Sequence, residues 1–151
     1  MTKQTPPPSI RAGSLTPFEP LAHELGLDPA ALLRRQGLDP AALQNPDAKL
    51  PAAAVAALLE AAAAESGRPD FGLLLAEAWT IADIGPVSLA VVHQDTLREA
   101  LSALELHRAH LSDAVSLSLL EDTGAAELRV AFDLPEGTAA NTRLSEPNVR
   151  R

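Results

Sequence analysis

Apolar residues recur along this chain with two different periods. Leu97, Leu101, Leu104 and Leu111 fall at helical spacing, and Thr96-Leu97-Arg98-Glu99 sets a hydroxyl at the N-cap with a carboxylate three residues on. This pattern predicts a helix over about 97–110. Past it the period drops to two: Val115, Leu117 and Leu119 alternate with Ser116 and Ser118, and Leu128, Val130, Phe132 and Leu134 alternate with Arg129, Ala131 and Asp133. Two strands are therefore expected, joined across Asp122-Thr123-Gly124-Ala125. A four-residue connection sets Leu119 opposite Leu128, Leu117 opposite Val130 and Val115 opposite Phe132, with all six side chains on one face.

Upstream the start and stop signals are helical. Thr16-Pro17-Phe18-Glu19 has the form of a capping box and predicts a helix ending at Gly26. Asp28-Pro29 opens a second helix over 29–36, stopped by Gly37, and Asp39-Pro40 opens one short helical turn over 40–43. Pro51 begins a longer helix through about Glu65 with Gly67 as its terminator, and Asp70 stands where it can cap a helix running to about Trp79. The apolar run 84–93, headed by Gly85-Pro86, reads as a short buried helix or an extended passage, with the short helix preferred. The fold class expected is α+β: a mostly helical N-terminal two-thirds followed by a β-hairpin, part of a small antiparallel sheet. Residues 1–14, with three consecutive prolines, read as a flexible lead-in, so structure is expected to begin near Leu15. Residues 15–134 form one domain in this reading and 135–151 a polar tail.

Composition narrows the function classes. One domain accommodates 151 residues, and with no Cys there is no thiol catalysis, Cys-ligated zinc or iron–sulfur cluster. The net charge of −8 counts against nucleic-acid binding by these residues, because phosphate affinity comes largely from Lys and Arg. Ten of the 12 cations are Arg, and Ala and Leu dominate the apolar set, which points to a GC-rich, bacterial coding sequence. The start of the chain is polar and Pro-rich, unlike a secretory signal, and the longest apolar stretch, 50–59, is broken by Pro51. A cytoplasmic protein without membrane contact is expected.

Candidate chemistry is thin, and catalysis is not expected. Ser112, Ser116 and Ser118 have no glycine elbow around them. His107 and His110 stand at i and i+3, where a metal shared with His93 or Glu105 is conceivable. His107 also falls within the leucine stripe, where a half-buried histidine bonded to a neighbour is the simpler reading, so no metal site or cofactor is assigned. Trp79 suits either a core or the wall of a small-molecule pocket. His93, Gln94 and Asp95 place polar groups at the end of an apolar segment, on a surface loop or beside a ligand. Trp79, His93 and His107 are thus the candidate ligand contacts. Residues 21–32 have the outline of a helix-turn-helix, but Arg34, Arg35 and Gln36 lie at the far end of the second helix, whereas recognition helices read bases from their N-terminal end. Antiparallel helix packing is preferred, and no DNA-binding residue is assigned.

Three segments in fixed order carry a family resemblance: Ile84-Gly85-Pro86-Val87-Ser88-Leu89-Ala90, Asp95-Thr96-Leu97-Arg98-Glu99-Ala100-Leu101, and Leu111-Ser112-Asp113 entering an amphipathic strand. Leu25-Gly26-Leu27-Asp28-Pro29, Gly37-Leu38-Asp39-Pro40 and Asp70-Phe71-Gly72-Leu73 agree with them. The chain resembles the N-terminal effector domain of AraC-type transcriptional regulators, of the arabinose-binding type found in regulators similar to those of ornithine utilisation. The resemblance implies a small-molecule effector, self-association into a homo-oligomer, and contact with DNA only through a C-terminal double helix-turn-helix region that these residues do not include. It also implies an incomplete sensor, since further helices and strands follow the hairpin in such regulators. The alternative is a ligand-free helical interaction module, a truncated regulator pairing with an intact one.

Overall fold

Alanine and leucine build the helices, and proline, aspartate and glycine punctuate them. A computed structural model describes residues 7–122 and 125–132. The described chain contains α1 (Phe18–Glu24), α2 (Pro29–Arg35), α3 (Ala52–Ser66), α4 (Phe71–Glu77), α5 (Val87–Val92) and α6 (Leu97–His107). Short 3-10 turns lie at Ala12–Leu15, Pro40–Gln44, Ile81–Ile84 and Arg108–His110. Strands β1 (Ser9–Arg11) and β2 (Lys49–Pro51) pair antiparallel, as do β3 (Val115–Asp122) and β4 (Ala125–Phe132). This is the α+β arrangement of helices followed by a hairpin.

Three helical starts form as their sequences imply. Asp28 accepts a hydrogen bond from the Ala31 N–H at 3.0 Å, and Asp39 accepts one from the Ala41 N–H at 2.9 Å, with proline next in the chain in both cases. At α6 the capping box is complete: Thr96 Oγ1 accepts from the Glu99 N–H at 3.2 Å, and Glu99 Oε2 accepts from the Thr96 N–H at 3.1 Å. Gly67 ends α3 with φ of 65°, a left-handed conformation that favours glycine.

Three starts differ from the pattern. Thr16 does not cap α1. Its hydroxyl donates to the Gly13 carbonyl at 2.7 Å, closing the preceding 3-10 turn, and α1 begins behind Pro17. Asp70 does not cap α4 with its side chain, because both carboxylate oxygens face Arg68 at 2.9 and 2.8 Å. Ordered structure also begins before Leu15, since β1 lies within the stretch read as a lead-in. Ile10 is the one large apolar residue of β1 and shows no period by itself; pairing with Leu50 in β2 gives the strand its place.

The core lies among α1 to α4. Phe18, Leu32, Leu33, Leu58 and Phe71 are its largest fully buried side chains, and Phe18 meets Phe71 edge to face with ring centroids 6.0 Å apart. Ala62 of α3 is fully buried among them. The apolar run 84–93 resolves as the short helix α5, of which Val87 is buried. The hairpin takes the register set by its alternation: Val115 opposite Phe132, Leu117 opposite Val130, Leu119 opposite Leu128. Val115, Leu117 and Leu119 are half-buried, whereas Leu128, Val130 and Phe132 stay 45% to 47% exposed. Leu134, read as the end of the second strand, lies outside the described residues.

Candidate functional site

Segments far apart in sequence meet at β1. Ile10 pairs with Leu50 on one side and bridges to Ser112 on the other. The Arg11 N–H donates to the Leu111 carbonyl, and the Asp113 N–H to the Ser9 carbonyl, both at 2.8 Å. Behind this junction lies a cavity of about 180 Å³. Its apolar wall comes from Ile10, Trp79, Leu104, Leu111, Val115 and Leu117, and Arg11, Ser14, Asp83, Arg108 and Ser112 complete the lining.

Arg11 is buried here, and a guanidinium removed from water must find partners. Its Nε donates to Asp47 Oδ1 at 2.8 Å and its Nη1 to the Asp83 carbonyl at 2.7 Å, tying β1 to the loop before β2 and to the 81–84 turn. The guanidinium lies between two glycines. A Cβ on Gly13 would stand 2.5 Å from Nη1, and one on Gly85 would stand 2.6 Å from Nη2. The Asp83 carboxylate turns away to accept from the Thr80 N–H at 2.7 Å and the Thr80 hydroxyl at 2.8 Å. The bond from the Thr80 N–H, opposed by partial burial and aided by the Thr80 hydroxyl, holds the Asp83 carboxyl below the usual carboxylate range.

The three candidate residues fall in different places. Trp79 follows α4 and stands in the cavity wall, 37% exposed. His93 is exposed at the C-terminal end of α5. His107 ends α6 half-buried, and its ring meets that of His110 edge to face at a centroid distance of 6.0 Å. Neither histidine lines the cavity, and among the described residues no cluster of three or more His, Asp or Glu side chains could hold a metal ion. Arg11 and Asp83 escaped the sequence reading. Arg11 lay in the presumed lead-in, and the visible sign of Asp83 was Thr80 three residues before it, a capping box around one short turn.

Residues 26–147 match the family model for the arabinose-binding domain of AraC transcription regulators, an N-terminal domain. The chain belongs to this family. Among its relatives is the HTH-type transcriptional regulator VirS of Mycobacterium tuberculosis, in strains CDC 1551 / Oshkosh and ATCC 25618 / H37Rv, each 34% identical over 127 residues. The alignment covers 84% of this chain and 37% of each relative, so the chain spans just over a third of the length of the curated relatives it matches.

Within this AraC-type domain the cavity is composite. Trp79, Asp83, Leu104 and the residues from Arg108 to Leu117 lie inside the matched region, while Ile10, Arg11 and Ser14 come from the segment before it. A second, wider groove of about 580 Å³ runs along α3, where Ala56, Leu59 and Ala63 face Leu73 and Phe132. It shares Ile10, Ser112 and Val115 with the first cavity, so these three residues form the partition. The α1–α2 pair, outlined in sequence like a helix-turn-helix, buries Phe18, Ala22, Leu32 and Leu33 in the core, and Arg35 of α2 pairs with Glu65 of α3 at 2.5 Å. No helix among the described residues is long and apolar enough to cross a membrane.

Proposed function

We propose that this AraC-type domain is the sensing and self-associating part of a bacterial transcriptional regulator. It acts by binding rather than catalysis, and works in the cytoplasm with DNA contacted by a separate helix-turn-helix region of the regulator. The cavity behind β1 carries this reading. It draws its walls from β1, the 79–83 connection, α6 and β3, so an occupant would bias how these segments sit together. Trp79 is the effector contact in this proposal, while His93 and His107 stand outside the cavity and have no direct role in it. Family membership and the likeness to a relative named as an HTH-type transcriptional regulator support the assignment.

Self-association is the second half of the reading. The hairpin is a two-stranded sheet with exposed Leu128, Val130 and Phe132 on one face, and among the described residues its outer edges pair with no further strand. Such edges and faces favour pairing with another copy, through β3, β4 or α6. Sedimentation velocity at micromolar concentration, combined with a thermal-shift screen of small metabolites, tests both halves. Concentration-dependent association that a stabilising compound shifts is expected. A monomer at every concentration that no compound stabilises would refute the reading. The same exposed face favours a second reading, a ligand-free interaction module, which predicts stable complexes that no metabolite alters.

A further inference from the structure

From the walls of the β1 cavity we infer that its ligand is a small, uncharged, apolar molecule, an aromatic ring or a branched aliphatic group, and not a sugar, amino acid or carboxylate. This rests on the sensing role proposed above. Five polar residues line the cavity, and each already has a protein partner. Arg11 donates to Asp47 at 2.8 Å and to the Asp83 carbonyl at 2.7 Å, and the Asp83 carboxylate accepts from Thr80 at 2.7 and 2.8 Å. The Ser14 hydroxyl donates to the Arg11 carbonyl at 2.8 Å. Ser112 Oγ donates to the Ser9 carbonyl at 3.2 Å and accepts from the Ala114 N–H at 3.0 Å. Arg108 Nη1 reaches the Val115 carbonyl at 3.4 Å.

What faces the cavity is therefore almost wholly carbon. Sites that discriminate polar ligands do so with polar groups aimed at them. A sugar entering here would lose hydration at each hydroxyl without replacement, weakening binding about tenfold for every group left unpaired. A carboxylate would have to draw Arg11 from Asp47 or Asp83, or Arg108 from the Val115 carbonyl. Size sets the other limit: an apolar cavity of about 150 Å³ accepts benzene, and this one, at about 180 Å³, takes a ring with one or two added carbons. The domain thus belongs to a family described by arabinose while the polar groups lining its own cavity are bonded within the protein.

Trp79 is the single tryptophan and stands in the wall, so its emission reports occupancy directly. The 151-residue chain is titrated with toluene, L-arabinose, L-leucine and benzoate, following Trp79 fluorescence and, independently, isothermal calorimetry. Toluene should bind saturably, with affinity at least a hundredfold above arabinose and tenfold above benzoate. Leu104→Trp, which fills the cavity, should abolish calorimetric binding, while Ala56→Leu in the α3 groove should leave it intact. Equal or tighter binding of arabinose, leucine or benzoate overturns the inference, as does absence of toluene binding or its loss in Ala56→Leu alone. The sensing role fails separately: if toluene binds as expected but leaves self-association unchanged in sedimentation, the ligand class stands and the sensor reading falls.

Discussion

Replacing Gly85 with alanine tests whether the buried Arg11 clamp organises this junction. Gly85 has φ of 71° and ψ of −142°, a region effectively reserved for glycine, so alanine brings strain of about 1–3 kcal/mol. Its Cβ would also lie 2.6 Å from Arg11 Nη2, 2.9 Å from Cζ and 3.0 Å from Nη1. A flexible side chain could step aside cheaply, but this one is buried and held by Asp47 and the Asp83 carbonyl. Hydrogen bonds to charged groups contribute about 1.5–3 kcal/mol when enclosed. The Asp47 side chain is 76% exposed, so the displaced clamp is put at about 2 kcal/mol in all. The sum is about 3–5 kcal/mol, a large part of the stability of a domain this size. Urea unfolding followed by circular dichroism should show the midpoint falling by about 2 M for a slope near 2 kcal/mol/M. In an Arg11→Ala background the clash disappears and only backbone strain remains, so the double-mutant cycle should return a coupling of about 2 kcal/mol. A loss below 1 kcal/mol for Gly85→Ala, or strict additivity with Arg11→Ala, would refute the clamp.

Other substitutions probe separate parts of the structure. Gly72→Ala, in α4 with nothing within 4 Å of the added Cβ, should raise stability by about 0.5–1 kcal/mol, read from the same urea curves. Phe71→Ala removes a fully buried ring from its contact with Phe18 and should cost about 3–5 kcal/mol, measured by thermal unfolding. Thr96→Ala breaks the capping box of α6 and should cost about 1 kcal/mol, seen as reduced helicity and earlier unfolding. Asp83→Asn bears on pH. The Asp83 carboxyl is held below its ordinary value of 3.8, so its contribution is present above about that pH and is lost as pH falls through the lower folded-state value. The melting-temperature gap between native protein and variant should therefore be full at neutral pH and close under acid; a gap independent of pH would exclude the charge as its cause.

Elements whose signals are local were legible along the chain. Asp28-Pro29, Asp39-Pro40 and the Thr96–Glu99 box start helical segments because an N-terminal turn needs acceptors for its free N–H groups, and those residues carry them within three positions. Alternation set the hairpin register, since a slip of one residue would move every leucine and valine to the opposite face. Local signals failed where a different partner, near or far along the chain, was met instead. Arg68 took the Asp70 carboxylate, the Gly13 carbonyl took the Thr16 hydroxyl, and Ile10 found Leu50 and Ser112, 40 and 102 positions further along. Tertiary structure alone decided the cavity. A cavity needs walls from β1, Trp79, α6 and β3 at once, and no period or cap along the chain records that Arg11 will reach Asp47 and Asp83. Trp79 could be suspected from its chemistry, but its place in that wall, like the separation of His93 and His107 from it, follows from packing between segments whose sequences carry no record of one another.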